Sequence, residues 1–266
     1  MYEFNYHRPS SLDEAKKILG DNDEAKLLAG GMTLLPTMKM RLASPSDLVD
    51  LSDIEGLTEI KDAGDAMEIG AMVCHAEIAG SDAVRAAIPA LADLVETIGD
   101  AQVRNRGTLG GSVANSDPAA DYPAAVLGLN ATVKTDRREI AADDYFKGLF
   151  ETALEPGEIV LSVRFPKPER AAYSKFPNPA SGYAVVGVMV AEASDGIRVA
   201  VTGAAGCAFR ATAMEDALSK DFSAAALEGI AVDTADLNSD LHASSEYRAH
   251  LVGVMARRAV ISLAAD

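Results

Sequence analysis

The chain has no tryptophan, 5% aromatic residues and two cysteines among its 266 residues. Each shortage excludes something. Cys74 and Cys207 are far apart and form no Cys-x-x-Cys pair, so the chain lacks the ligands for an iron–sulfur cluster or a structural zinc site. They read as free thiols. The four histidines, His7, His75, His242 and His250, fall at no metal-ligand spacing. Basic residues are also scarce: 24 Lys and Arg against 40 Asp and Glu, a formal charge of −16. Such a surface repels nucleic-acid phosphates and anionic lipid, so no nucleic-acid partner is expected. No stretch approaches the roughly 18 apolar residues of a membrane span, and MYEFNYHRPSS has no apolar signal core. The expected location is the cytoplasm. No GxSxG or HExxH motif is present, and no catalytic carboxylate pair stands at an interpretable spacing. A protein whose cofactor does the chemistry needs binding groups rather than an acid–base pair.

With 48% hydrophobic residues and few aromatics, alanine and valine must fill much of the core. Against that background two glycine-rich segments stand out. The first is Leu28-Ala29-Gly30-Gly31-Met32-Thr33-Leu34-Leu35. The second, QVRNRGTLGGSVANSDPAADYPA, runs from Gln102 to Ala124. Each sets a Gly-Gly pair beside a hydroxyl residue, a composition that lets bare backbone N–H groups approach a phosphate. Two such segments suggest one extended ligand with a diphosphate, held from two sides. Neither is a P-loop or a GxGxxG turn. A diphosphate here would rest on backbone N–H groups and hydroxyls, with Thr33 and Thr108 placed to donate. Arg104 and Arg106 either flank the approach or are ordinary solvated arginines. Asn115, Asp117 and Asp121 suit ribose or ribityl hydroxyls, because carboxylates accept O–H hydrogen bonds. Asp117-Pro118 also reads as a helix cap, which leaves Asp121 as the better ligand contact.

Periodicity supplies the frame. Ser11-Leu12-Asp13-Glu14 is a capping box opening a helix that Gly20 ends. Lys26–Ala29 reads as a buried strand, and Thr33 opens a helix through Arg41. Asp47–Leu51 and Ala66–Ala71 read as strands. Residues 83–99 look helical with a break at Pro89, and a polar, Gly-containing loop follows from Asp100. Ala119–Leu127 is a short helix. Ala131–Thr135 and Glu139–Ala141 could pair as a hairpin, and Glu158–Phe165 is a strand closed by Pro166-Lys167-Pro168. Beyond it Tyr183–Ala193 and Ile197–Gly203 form a hairpin across Ser194-Asp195-Gly196. Met214–Leu218, Ser223–Gly229 and Glu246–Ala264 read as helices. Sheet followed by helices indicates a small α+β domain.

Four segments carry a family resemblance: Ala29-Gly30-Gly31-Met32-Thr33-Leu34-Leu35-Pro36, Ile69-Gly70-Ala71-Met72 through Ala76-Glu77-Ile78-Ala79, the 102–124 segment, and Lys175-Phe176-Pro177-Asn178-Pro179-Ala180-Ser181-Gly182-Tyr183-Ala184. Tyr247-Arg248 is a weaker fifth. The chain resembles the medium, FAD-binding subunit of the xanthine dehydrogenase and carbon monoxide dehydrogenase family of molybdenum hydroxylases. The resemblance implies an α+β fold. A two-lobed FAD-binding domain of the p-cresol methylhydroxylase (PCMH) type would span residues 1–168, its lobes split near residue 57. A small α+β flavoprotein C-terminal domain, antiparallel sheet plus helices, would span 169–266.

It further implies that Ala29, Gly30, Gly31, Met32, Thr33 and Leu34, with Thr108, Gly110, Gly111 and Ser112, hold the diphosphate of a non-covalent FAD. Asn115 and Asp121 would meet ribose or ribityl hydroxyls. Lys175 and Tyr183 would lie toward the isoalloxazine, to tune or cover it, or else are a strand-end lysine and a core tyrosine. The family commonly has a polar residue at Met32, and distant relatives have asparagine at Ser112. A large molybdopterin subunit and a small [2Fe-2S] subunit are the implied partners, with electrons passing from the clusters through the flavin to a terminal acceptor. The alternatives are a self-contained flavin oxidoreductase of the same superfamily, for which no substrate acid or phosphate clamp is evident, and a flavin-free assembly protein.

Overall fold

The computed structural model describes residues 1–264. The chain opens with β1 (Asn5–His7), α1 (Leu12–Asp21), β2 (Lys26–Leu28), α2 (Leu34–Lys39) and β3 (Asp47–Asp50). The strands pair in parallel in the order β1-β3-β2. Ser11 caps α1 by accepting the Glu14 N–H at 3.3 Å. The Glu14 carboxylate returns to the Ser10 N–H at 3.0 Å, one residue earlier than a standard capping box. Ala15 is sealed against Val49 and Leu51 in a small core of this first lobe. Arg41, at φ 61°, lies just beyond the end of α2 at Lys39, two residues earlier than the expected span.

A second lobe follows: β4 (Ile60–Asp62), β5 (Ala66–Gly70), α3 (His75–Ala79), α4 (Asp82–Ala87), α5 (Pro89–Glu96), α6 (Ala101–Arg104), α7 (Leu109–Asn115), α8 (Tyr122–Gly128), β6 (Thr132–Thr135), β7 (Glu139–Ala141), α9 (Ala142–Tyr145), β8 (Phe146–Gly148), β9 (Glu151–Thr152) and β10 (Val160–Pro166). Five of its strands form an antiparallel sheet, β4-β5-β10-β6-β7. Pro89 separates α4 from α5 by occupying the first turn of the latter, where its missing N–H costs nothing. The segment after Asp100 is not the expected loop. Asp100 accepts the Val103 N–H at 2.8 Å and Thr108 accepts the Gly111 N–H at 3.1 Å, so two side-chain caps start two short helices despite the glycines. Helix α8 begins at Tyr122 rather than near 119, because Asp117 instead ties the Ala119 N–H into a tight turn at 2.9 Å.

The C-terminal part comprises β11 (Arg170–Pro177), β12 (Ala184–Ala193), β13 (Gly196–Thr202), β14 (Phe209–Arg210), α10 (Thr212–Leu218) and α11 (Ser245–Ala264). Its strands form one antiparallel sheet in chain order. The helix expected over 223–229 is only a 3-10 turn at Ala225–Leu227. Strand β12 is buried on both faces, which is why it reads as an unbroken apolar run. Val186, Val188 and Val190 pack with Leu251, Met255 and Ala259 of α11. Met189 and Ala191, on the opposite face, join the core of the second lobe. A Cβ on Gly128 of α8 would sit 2.6 Å from Met189 Cγ, so glycine is what lets α8 lie against this sheet. The two domains therefore share a hydrophobic contact and are not merely tethered.

The Leu154–Ile159 turn leading into β10 is pinned by Glu158, whose side chain is sealed from water. Its carboxylate accepts from Thr135 Oγ1 at 2.7 Å, from Arg138 Nε and a terminal guanidinium nitrogen at 3.1 and 3.0 Å, and from the Glu155 N–H at 2.7 Å. The Arg138 bonds, foremost, hold its pKa down to about 2, against the burial that would raise it. The folded pKa is depressed, so this stabilisation is complete above the ordinary carboxylate value and fades as pH falls toward about 2. Glu158→Gln should destabilise the protein by about 1–2 kcal/mol at neutral pH, since Arg138 stays partly in water. In urea unfolding the gap to wild type should narrow between about pH 5 and pH 2; a gap independent of pH would contradict this assignment.

Candidate functional site

A cavity of about 1010 Å³ opens where the two lobes and the C-terminal domain meet. That is at the upper end for small-molecule and cofactor sites. The first glycine segment forms one wall, with Ala29, Gly30, Gly31, Met32, Thr33 and Leu34 all facing the cavity. Gly31 sits at φ +73°, a left-handed turn that glycine adopts without strain. The turn leaves a row of backbone donors free. Among the described residues, the N–H groups of Gly31, Met32, Thr33 and Leu34 have no protein acceptor, and α2 makes its first bond from Leu35 N to Gly31 O at 3.0 Å. The Thr33 hydroxyl is likewise unbonded and exposed.

The second glycine segment is built differently. Thr108, Gly110, Gly111, Ser112 and Asn115 line the cavity, but the backbone donors from Leu109 to Ser112 are spent. Leu109 N donates to Val73 O at 3.1 Å, Gly110 N to Ala71 O at 2.8 Å, and Ser112 N to Thr108 O at 3.1 Å. Gly111 N is capped by Thr108. The expectation that this Gly-Gly pair offers bare N–H groups is therefore corrected: its glycines serve close packing. A Cβ on Gly110 would lie 2.5 Å from Ala71 Cβ, and one on Gly111 2.9 Å from Thr108 Oγ1. What the turn presents instead is side chains, since Ser112 and Asn115 are half-buried and bond to no protein group.

Asp121 and Tyr183 line the cavity; Lys175 does not. Lys175 is buried behind it, its Nζ 2.9 Å from Asp121 Oδ2 and 3.1 Å from Thr97 O. Tyr173 donates to Asp121 Oδ1 at 2.6 Å. Burial pushes the Asp121 carboxyl upward, opposed by these two partners. Tyr183 is 45% exposed and its pKa is raised, by burial first and then by Asp117 and Asp121. The two arginines of the second segment stand away from the lining. Arg104 donates to the Ile98 and Gly99 carbonyls, and Arg106 is exposed.

Three contributors carry no sequence signal as ligand groups. Phe150, at φ +54° and largely exposed, brings an aromatic ring to the cavity from the β8–β9 turn. The Leu154–Ile159 turn forms a further wall. His75 is 4% exposed, with Nδ1 buried and unpartnered. Burial, and then the charge of Arg104, lower its pKa to about 4, so it is neutral at pH 7.

The comparisons identify the fold family. Residues 2–168 match the FAD binding domain in molybdopterin dehydrogenase, and residues 171–263 match the CO dehydrogenase flavoprotein C-terminal domain. The chain belongs to this flavoprotein family. The nicotine 6-hydroxylase medium subunit of Paenarthrobacter nicotinovorans is 38% identical, covering 98% of this chain and 97% of that protein. The carbon monoxide dehydrogenase medium chain of Hydrogenophaga pseudoflava is 35% identical, covering 97% and 96%. Among solved structures, reconstituted CO dehydrogenase from Oligotropha carboxidovorans aligns with a TM-score of 0.91 at 35% identity over 98% of this chain and 97% of that one.

The flavoprotein's cofactor is FAD, and the residues present fit it. The cavity is lined by three parts of the molecule, one wall offers unpaired N–H groups in a row, and hydroxyl, amide and carboxylate groups stand on the facing wall. Nitrogen-15 NMR of His75 should show a neutral imidazole throughout pH 5–8; titration near its ordinary value of 6.5 would contradict the burial-driven shift.

Proposed function

We propose that this flavoprotein takes electrons from a small [2Fe-2S] subunit, itself fed by a large molybdopterin subunit, and delivers them to a terminal acceptor. The row of free N–H groups at Gly31–Leu34 carries the reading, because it supplies a diphosphate cradle and no acid–base machinery. Bound FAD supplies the redox chemistry of the chain. The residues around it bind and orient. Gly31, Met32, Thr33 and Leu34 donate to the diphosphate, Ser112 and Asn115 add side-chain contacts, and Tyr183 and Phe150 border the opening.

Three polar groups of the lining favour a relay over a self-contained oxidoreductase. Asp121 and Glu158 are already bonded through both oxygens, and His75 is neutral. No group of three His, Cys, Asp or Glu side chains among the described residues could hold a metal ion, and the reading assigns the clusters and molybdenum to the partner subunits. We also divide the chain at residue 168, where Lys167-Pro168-Glu169 separates β10 from β11. No helix among the described residues is long and apolar enough to cross a membrane. The two free thiols support a cytoplasmic location.

Anaerobic spectroscopy tests the division of labour. The FAD-loaded chain alone should keep its visible absorbance when offered organic substrates, lose it with dithionite, and lose it with substrate once both partner subunits are added. Acid precipitation should release the flavin into the supernatant. Bleaching of the isolated chain by an organic substrate would reject the subunit reading.

A further inference from the structure

The 117–121 segment forms part of the cavity wall through Asp117, Ala120 and Asp121, yet it belongs to no helix or strand. It is held from outside its own domain. Gly203 N donates to Pro118 O at 2.7 Å, and Ala184 N donates to Ala119 O at 3.1 Å. The Thr202 hydroxyl lies 2.6 Å from Ala120 O and 3.1 Å from Pro118 O. Tyr173 and Lys175 take the two oxygens of Asp121. Each residue from 118 to 121 thus gives an acceptor to the C-terminal sheet. Thr202 is 1% exposed, so its hydroxyl has no solvent to turn to. Gly203 sits at φ +83°, and a Cβ there would lie 2.6 Å from Ala184 O, so the approach is one that glycine alone makes.

We propose that Thr202 is a positioning residue for the FAD site: from the C-terminal sheet its hydroxyl fixes the Pro118–Asp121 wall of the cavity, with Tyr173 and Lys175 setting the Asp121 carboxylate at the end of that wall. The inference rests on the FAD reading above. It explains why the small domain lines so little of the cavity itself, contributing Ser181, Gly182 and Tyr183, and yet is bonded so densely to the lining of its neighbour. The buried Asp121–Lys175 pair alone would cost desolvation on both sides. Its use here is directional, since two donors hold the carboxylate in one orientation.

The test compares Thr202→Val, which keeps shape and loses the donor, with Thr202→Ser, which keeps the donor. Both are made in the full chain. FAD affinity is measured by quenching of flavin fluorescence, together with the visible circular dichroism of the bound flavin. Melting temperatures are recorded with and without FAD. Thr202→Val should weaken FAD at least tenfold, change the visible dichroism, and reduce the melting shift that FAD confers. Thr202→Ser should stay within threefold of wild type. If Thr202→Val does not fold, Tyr173→Phe, which removes a donor from Asp121, decides by the same readouts. Wild-type affinity and dichroism in the folded Thr202→Val variant, or in the Tyr173→Phe variant where that one decides, would overturn the proposal. So would an equal fall in melting temperature with and without FAD. A wild-type chain that binds no FAD would instead overturn the FAD reading.

Discussion

The backbone of Gly30 lies directly against that of Arg106 and Gly107, and the cavity depends on this contact. A Cβ at Gly30 would fall 1.9 Å from Arg106 O, inside any tolerable contact distance. The first lobe can meet the second this closely only with hydrogen at that position. Two further close approaches pack the second lobe beside it. Gly110 rests on Ala71, and Gly107 leaves room for the His75 ring, whose Nε2 would be 2.7 Å from a Cβ there. With the two lobes brought together in this way, the free N–H groups of Gly31–Leu34 face the side chains of α7 across one cavity. The glycines of the two segments therefore divide the work. Gly31 shapes a donor row, while Gly30, Gly107 and Gly110 serve close packing.

The C-terminal sheet completes the enclosure through two kinds of contact. Its apolar underside, Met189 and Ala191, seals against α8 and buries the shared core. Its polar edge, from Tyr173 and Lys175 across Thr202 to Gly203, catches the acceptors of the segment just before α8. Hydrophobic contact supplies the attraction, and the directional bonds fix how the segment lies.

Much of this was legible in the residues. Alternation and turn chemistry located most strands, Pro89 marked the break between α4 and α5, and the Gly-Gly segments pointed to the cavity. What was not legible depended on distant partners. The 102–124 segment looked like a loop because its glycines lower helix propensity. Its helices exist because Asp100 and Thr108 cap them and because Val73 and Ala71 accept from α7 across the fold. Lys175 could not be assigned from sequence to the back of the cavity, since only the pairing of β11 with β12 turns it toward Asp121. Phe150 and His75 were equally hidden. A left-handed phenylalanine and an unpartnered buried imidazole leave no local pattern.

We propose that the diphosphate of FAD is received by the backbone of the first segment and not by that of Leu109–Ser112. Residue-resolved amide hydrogen exchange, with and without FAD, tests this most directly. Without FAD, the amides of Gly31–Leu34 should exchange freely, while those of Leu109–Ser112 should already be protected by their internal bonds. Saturating FAD should slow exchange at Gly31–Leu34 by at least about tenfold, as expected when a ligand occupies otherwise free donors. FMN, which lacks the diphosphate, should do so weakly. Unchanged exchange at Gly31–Leu34, with new protection confined to Leu109–Ser112, would contradict the account.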